Sequence, residues 1–450
     1  MKTTIQLKKQ FFDSLKRGTG EAFLIMRENP SIDFSDLIIQ GATTNFAFDK
    51  QGDSSRASYM YQFINCSKQK DIIIQEVLQK LQTEAQDFWS LNQMCDLAVI
   101  LYRSGYPEAK TAIYNRFEKN SNMNYVYCGE SQLVELDGMD GILKIANCVG
   151  KMLFEGKLAD YESSWRFAFY QKDNPTIDIN KELKKASEKN HYIKAFYDSI
   201  QKNNWTIKNQ ETSKRLSYEF IKEKFDTSQI HFLFSERNNE LSLAEIKQLA
   251  TDFLAEKDIQ EKEKYLQLFS FRKFPFDYNP ILQIAQDTNP DHSRLVELAI
   301  RSLKYFSSKE IRTLALAKLS KKNNPSFYLD LLVSNYQKGD YKLLSELATS
   351  AEDDETIEYI ADGLIKIYEA NSTKECKEPL EILYTKINCG ILRYSIVKIL
   401  HDNKVMSGKI LEEIEFDCNE DLRQLYSQTK TACHNQAFNR DQFGTSSRAM

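Results

Sequence analysis

The sequence predicts an all-α fold in which successive helical hairpins stack on one another. Three observations lead to this prediction. Only 15 of the 450 residues are Gly and only 8 are Pro, which is roughly 5% of the chain against an average of about 12%. Apolar residues recur at helical spacing from one end of the chain to the other, and the polar stretches between the apolar segments are short. Because sheet proteins and α/β enzymes use Gly and Pro in turns and phosphate loops, all three observations favour helices.

Helical periodicity extends along the whole chain. In 290–303, for example, Leu295, Leu298 and Leu303 lie on one face of the predicted helix, and charged residues occupy the other faces. Segments with this pattern cover 3–16, 20–28, 54–65, 69–83, 88–103, 107–119, 140–155, 178–188, 192–202, 212–224, 242–256, 258–270, 290–303, 308–319, 325–337, 341–350, 355–369, 375–387, 391–401 and 420–430.

Three of the predicted helices share a pattern. An apolar residue is followed directly by an arginine, and further apolar residues lie three or four positions further on. Their arginines are Arg312, Arg393 and Arg423, and Arg56 lies in a weaker echo of the pattern. In this feature the chain resembles the HEAT-like repeat family, in which the second helix of each hairpin often carries an arginine near its start. The resemblance is clearest over 290–430.

The resemblance implies a right-handed α-α superhelix, which is a solenoid of helical hairpins of the armadillo type. A single hairpin cannot cover its own apolar stripe, so the hairpins on either side must do so. Stacked hairpins would form an extended concave wall, the usual binding surface of such proteins. Tetratricopeptide, leucine-rich and propeller repeats are disfavoured, because the sequence lacks their residue periods or their strand patterns.

The sequence divides into four regions. Helical repeats fill 1–205, an irregular connecting region follows in 206–241, HEAT-like repeats occupy 242–435, and a polar tail covers 436–450. Within the connecting region, 230–234 is interpreted either as a short strand or as a buried linker.

Charge and cysteine usage point to a cytoplasmic protein. The net charge of −4 results from 60 basic and 64 acidic residues, which are interleaved as on the solvated faces of helices. The eight cysteines include no C-x-x-C pair, so we expect small buried hydrophobes in a reducing compartment. The start lacks the apolar core of a signal peptide, and no apolar run approaches the ~20 residues that span a bilayer. We therefore expect no membrane association.

Two clusters of aromatic and basic residues are candidate binding sites. Rings interleaved with Arg and Lys can stack bases and contact phosphates, or anchor a protein partner. The alternative, which we favour for both clusters, is that the rings pack in the core while the basic groups face water. The candidate residues are Phe271, Arg272, Lys273, Phe274, Trp165 and Arg166.

The acidic residues of 130–140 are the best candidates for paired carboxylates or a cation site. Glu130, Glu135, Asp137 and Asp140 do not have the spacing of a calcium-binding loop, however, and turns and helix caps explain them better. No two of the five His residues suggest a shared metal ion, and the Walker, nucleophile-elbow and Rossmann glycine motifs are absent from the sequence. We therefore predict no catalytic residue, no metal site and no cofactor.

Three classes of function fit these features. The first is a protein-binding scaffold or adaptor without catalytic activity of its own, with another protein as its partner. The second is a nucleic-acid-binding HEAT-like protein, including an enzyme like the DNA glycosylases that share this architecture. The third is a subunit of a bacterial defence or regulatory complex. Nothing in the sequence indicates an oligomeric state.

Overall fold

The computed structural model describes residues 2–53, 55–83, 87–120, 128–159, 161, 165–202, 215–225, 240–321 and 326–431. Within these ranges all regular secondary structure is helical, so the all-α prediction is confirmed. None of the helices described combines the length with the apolar character that a bilayer span requires. The segment 230–234 and the tail 436–450 lie outside the described residues.

The helices are short and follow one another closely. Short 3-10 helices cover Pro290–His292, Ser326–Leu332 and Lys374–Cys376. The α-helices are α1 Thr4–Arg17, α2 Glu21–Glu28, α3 Ser35–Thr43, α4 Ala57–Cys66, α5 Lys70–Thr83, α6 Phe88–Arg103, α7 Pro107–Asn120, α8 Glu130–Asp137, α9 Met139–Phe154, α10 Trp165–Asp173, α11 Ile179–Ser187, α12 His191–Lys202, α13 Tyr218–Lys224, α14 Leu243–Ala255, α15 Ile259–Phe269, α16 Asn279–Ala285, α17 Ser293–Leu303, α18 Lys309–Leu319, α19 Tyr341–Ser350, α20 Asp354–Ala370, α21 Lys377–Lys386, α22 Gly390–Asp402, α23 Gly408–Ile414 and α24 over 420–431.

Polar side chains mark several helix starts. Thr3 with Gln6, and Ser242 with Glu245, form capping boxes at the starts of α1 and α14. Ser308 caps α18 by accepting a hydrogen bond from the backbone N–H three residues later. Each cap satisfies a backbone donor that the helix itself cannot pair. These local signals explain why the helix starts could be read from the sequence.

The described residues form two compact units. The first contains the residues up to 202 together with 411–431, and the second contains 215–410. The sequence-based division placed 411–431 with the repeats of 242–435 instead. That assignment differs from the structure because the chain returns to its first two helices, which a local pattern does not indicate.

Helices pack mainly against those one and two positions away along the chain. In the first unit, α3 contacts α4 and α5, α4 contacts α6, and α5 contacts α7. In the second unit, α15 contacts α17, α19 contacts α21, and α20 contacts α22. Each helix therefore covers the apolar side of near neighbours in sequence.

Two lysines repeat the same contact in the two units. Lys119 donates from Nζ to the carbonyl oxygens of Gln82 and Thr83, 3.1 and 3.0 Å away at the end of α5. Lys386 donates to the carbonyl oxygens of residues 348, 349 and 351 at the end of α19, with distances of 2.9, 2.6 and 2.8 Å. In both cases a cation meets the negative end of a helix dipole, and 35–38 residues separate the partners.

Arg312, the first arginine of the repeat pattern, joins α18 to the chain that precedes α19. Its guanidinium binds both carboxylate oxygens of Asp340, at 2.6 and 2.7 Å, and donates to the carbonyl oxygen of Asn335 at 2.7 Å. The side chains of Arg312 and Asp340 are 17% and 8% exposed. The hydrogen bond to Asp340 raises the pKa of Arg312 above its ordinary value. The pair of Arg312 and Asp340 is therefore a structural link, and the guanidinium of Arg312 is not available as a free cation.

The other arginines of the pattern are also held inside the fold. Arg393 is completely buried. Arg423 donates to the carbonyl oxygens of Asp417 and Cys418, at 2.6 and 2.9 Å. Arg56 is buried and donates to a carbonyl oxygen at the end of α1. The pattern therefore marks packing positions.

The C-terminal residues from 411 pack closely on the turn between α1 and α2. Gly18 ends α1 in the left-handed conformation, with φ 76°, and its carbonyl oxygen accepts a hydrogen bond of 2.8 Å from the N–H of Cys418. A Cβ atom on Gly20 would lie 1.8 Å from the carbonyl oxygen of Glu413. Only glycine lets the two backbones approach this closely.

Aromatic packing strengthens this contact. The rings of Phe23 and Phe416 stack with their centroids 4.3 Å apart, and the guanidinium of Arg27 lies 5.6 Å from the centroid of Phe416. The two ends of the described chain therefore belong to one packed unit.

Candidate functional site

The second unit contains a cleft of about 1120 Å³. Its walls are formed by α17 to α20 and by the 3-10 helix Ser326–Leu332, so residues from five consecutive elements meet there. Among the described residues, seven acidic and three basic ones line it, and we call it the acidic cleft. They are Glu297, Asp330, Glu346, Glu352, Asp353, Glu355 and Asp362, with Arg301, Lys321 and Lys366.

Some of these acidic groups have basic partners within the acidic cleft. Lys366 Nζ lies 2.5 Å from a carboxylate oxygen of Asp362 and 3.7 Å from one of Asp330. Arg301 pairs with Glu297 at 2.9 Å. The negative charge of this part of the wall is therefore partly compensated.

The wall formed by α19 and the start of α20 is different. Glu346, Glu352 and Glu355 are exposed, and within the described ranges none of them forms an ion pair. Charges of one sign on the walls of a concave surface reinforce one another, because the protein excludes part of the screening water. This wall therefore presents a net negative potential to the solvent.

Asp330 is the buried acidic residue of the acidic cleft, with 5% of its surface exposed. Beside it, burial lowers the pKa of Lys304, and the negative charge of Asp330 partly offsets this effect. Burial together with Asp330 raises the pKa of Tyr305 to about 12. The pKa of both neighbours is therefore shifted mainly by their burial, and Asp330 is the second cause.

The acidic cleft also offers apolar surface. Tyr359 is 54% exposed on α20, and Phe327, Leu343 and Leu347 contribute further apolar area to the lining. Exposed aromatic side chains next to charged ones are typical of protein-binding surfaces.

The aromatic and basic stretch predicted from the sequence forms the connection between α15 and α16. Phe274 is 1% exposed, and its ring contacts two other phenylalanine rings of the core. Lys273 is exposed, whereas Phe271 and Arg272 are half-buried. The structure therefore places these four residues in different environments rather than on one open face.

Trp165 and Arg166, the other two candidate residues, begin α10. Their side chains lie outside the described part of the structure. The ring of Phe167 that follows is 1% exposed, whereas that of Phe169 is 61% exposed. One ring of this cluster is therefore in the core and another faces the solvent.

The acidic residues of 130–140 do not converge on one point. Glu130 is 1% exposed, Glu135 pairs with an arginine of α6 at 2.7 Å, and Asp137 pairs with Lys110 at 2.5 Å. Glu130 and Asp140 lie in the first turns of α8 and α9, where negative charge is stabilised. Among the residues that the structure describes, no group of three or more His, Cys, Asp or Glu side chains could hold a metal ion.

Two buried thiols lie side by side in the first unit. The sulfur atoms of Cys95 and Cys128 are 3.9 Å apart, and both residues are 0% exposed. The hydrogen bond between them and their burial raise the pKa of Cys95 well above its ordinary value. The thiolate, which is the reactive form, is therefore suppressed at neutral pH.

Alkylation of the native protein with iodoacetamide at pH 8 should distinguish the cysteines. We expect exposed Cys66 to react at least about a hundredfold faster than Cys95 and Cys128, because only an accessible thiolate reacts. Peptide mapping by mass spectrometry measures each rate, and labelling in denaturant is the control. Equal rates for the three thiols in the native protein would contradict the buried pair.

The acidic cleft was not predicted from the sequence. One local signal was available, namely the four consecutive acidic residues of 352–355. Such runs usually mark a solvated helix face, and the other residues of the lining are distributed over five successive elements between 297 and 366.

Comparisons with known proteins found no matching protein-family model, no matching curated protein and no matching solved structure. Function must therefore be inferred from the charge, shape and polar contacts of the described residues.

Proposed function

We propose that the protein is a non-catalytic helical-repeat scaffold that binds a partner protein through the acidic cleft. The observation that carries the proposal is the negative wall of α19 and α20, where Glu346, Glu352 and Glu355 form no ion pair with any described residue. Next to this wall, exposed Tyr359 supplies an aromatic anchor. The partner that fits is a polypeptide segment rich in Lys and Arg, with apolar side chains between the charges.

The proposed architecture of this scaffold is a HEAT-like solenoid, a right-handed α-α superhelix. The contacts between helices one and two positions apart support it, as do the two equivalent lysine contacts, in each of which 35–38 residues separate the lysine from its partners. In a solenoid each hairpin contacts only its neighbours. The packing of residues from 411 on α1 and α2 is an additional contact outside that pattern.

The charge of the acidic cleft favours a protein partner over a nucleic acid. A nucleic-acid groove needs Lys and Arg to neutralise phosphates, whereas the described lining of this cleft holds seven acidic and three basic residues. A protein partner also fits membership of a defence or regulatory complex, because the same surface would then join two subunits. We propose the cytoplasm as the compartment, where buried thiols such as Cys95 and Cys128 remain reduced.

Charge reversal of the negative wall tests the proposal. The probe is a fluorescein-labelled amphipathic helix of Lys and Leu, and its binding to the full chain is measured by fluorescence anisotropy. We expect the triple variant Glu346→Lys, Glu352→Lys, Glu355→Lys to bind about tenfold more weakly or worse. Each exposed charge contributes a few tenths of a kcal/mol, and reversal doubles the effect of removal.

The matched control changes the net charge by the same amount elsewhere in the second unit. Asp291→Lys, Glu369→Lys and Glu378→Lys alter exposed acidic residues that do not line the acidic cleft. We expect this variant to bind the peptide within about threefold of the original chain, because only distant, screened charges change. Equal weakening by both variants, or tighter binding of a 20-nucleotide single strand than of the peptide, would refute the proposal.

A further inference from the structure

Helix α6 of the first unit carries a polar face. Trp89, Asn92 and Asp96 recur every three or four residues, so they lie above one another on the helix surface. With Lys50 and Ser55 from the connection before α4 they line a pocket of about 320 Å³. This pocket lies in the first unit and is independent of the acidic cleft.

The carboxylate of Asp96 is held only by neutral donors. Asn92 Nδ2 donates to one carboxylate oxygen at 3.3 Å, Gln132 Nε2 donates to the other, and the hydroxyl of Ser55 also bonds it. Within the described part of the chain no Lys, Arg or His pairs with it. Burial raises the pKa of Asp96, although the bonds from Gln132 and Ser55 oppose the rise.

The cluster around Asp96 contains more acceptors than donors. Gln132 is 3% exposed and also donates from Nε2 to Asn92 at 3.4 Å. Its carbonyl oxygen Oε1 is buried and has no hydrogen-bond partner among the residues that the structure describes. A buried acceptor without a donor costs about 1–3 kcal/mol. Gln132 does not line the pocket, so a donor-rich ligand there would meet the carboxylate of Asp96 rather than this oxygen.

The cation that lines the pocket is already engaged. Lys50 Nζ lies 3.4 Å from a carboxylate oxygen of Asp87, which is the N-cap of α6. Trp89 is half-buried, and indole is the ring that binds cations best. Asp96, which has no cationic partner among the described residues, and the indole ring of Trp89 therefore line the same pocket, a combination typical of sites that bind organic cations.

We infer that this pocket binds the primary ammonium group of a small ligand, with Asp96 as its counterion and Trp89 beside the cation. Two classes of metabolite carry such a group, namely α-amino acids and aliphatic polyamines. The ammonium group supplies three N–H donors and the positive charge that the carboxylate of Asp96 lacks among its described partners.

Isothermal titration calorimetry of the full chain tests the inference with three probes: L-alanine, spermidine and N-acetyl-L-alanine. We expect one of the first two to bind with a single site at millimolar concentration or below. N-acetyl-L-alanine, which lacks the ammonium group, should release no heat. Absence of binding by both L-alanine and spermidine at about 10 mM would overturn the inference.

Asp96→Asn preserves the shape of the side chain and removes its charge. We expect affinity to fall about thirtyfold or more, because one partner of a partly buried charge pair is lost. Asp36→Asn, an exposed carboxylate of α3 in the same unit, is the matched control and should bind like the original chain. Unchanged affinity of the Asp96 variant would overturn the inference.

A second variant tests the role of the indole ring. Trp89→Leu keeps an apolar side chain and should weaken binding about threefold or more by removing the cation–π contact; unchanged affinity would overturn the role of the ring.

The cleft variant Glu346→Lys, Glu352→Lys, Glu355→Lys should bind the ligand normally. If that variant lost ligand binding, the ammonium site would lie in the acidic cleft and the inference would be wrong. This outcome does not depend on whether the acidic cleft binds the peptide.

Discussion

Replacing Gly20 with Ala is expected to lower the free energy of unfolding by about 3 kcal/mol. The new Cβ would lie 1.8 Å from the carbonyl oxygen and 2.8 Å from the carbonyl carbon of Glu413. Both are backbone atoms, so no side-chain rotation can relieve the clash and the contact with residues from 411 must open. Urea-induced unfolding, followed by circular dichroism, measures the change.

Gly408→Ala is the matched control, because a Cβ there would meet no atom within 4 Å and the backbone has no positive φ. We expect a change of at most about 1 kcal/mol, in the stabilising direction, from the lower entropy of the unfolded chain. If the Gly20 and Gly408 variants unfolded alike, the packing of the C-terminal residues on α1 and α2 would be contradicted.

Replacing Arg312 with Met is expected to cost about 3 kcal/mol. The substitution leaves the carboxylate of Asp340, whose side chain is 8% exposed, without its bidentate partner. It also removes the N–H group that donates a hydrogen bond to the carbonyl oxygen of Asn335. Urea unfolding of the full chain should show an earlier transition, because a buried charge is then uncompensated.

Arg294→Met is the control for Arg312. Arg294 is 50% exposed and pairs with Glu297 on its own helix at 3.0 Å, so its removal should cost at most about 0.5 kcal/mol. Adding Asp340→Asn to the Arg312 variant should recover part of the loss, since the unpaired charge disappears. Equal losses for the Arg312 and Arg294 variants would show that the buried pair is not a structural link.

Most helices could be predicted from the sequence, because amphipathic spacing and caps are local signals. The helix over 88–103 has the predicted bounds, as does that over 341–350. The predicted segments missed α3, α8, α10, α16 and α23, which have only seven to nine residues. Short helices depend on tertiary packing for stability. In α3, for example, Gly41 indicates a helix break by its residue type, but its missing side chain lets the side chains of Leu15 and Met60 pack close to the helix backbone.

The functional surfaces were harder to predict. The face of Trp89, Asn92 and Asp96 is visible in the sequence, but Gln132 lies 36 residues from Asp96 and joins it only through folding. The aromatic stretch around Phe274 drew attention by composition, yet composition does not distinguish a core ring from an exposed one. Sites assembled from several helices leave no local pattern.

The most direct measurement of whether the acidic cleft is a binding surface is hydrogen–deuterium exchange of the full chain with and without the Lys and Leu peptide. We expect slower exchange at saturating peptide in 343–366, which contributes α19 and α20 to the cleft, and unchanged exchange in 2–120. Protection elsewhere than around the cleft, or no protection at saturation, would contradict the proposed function.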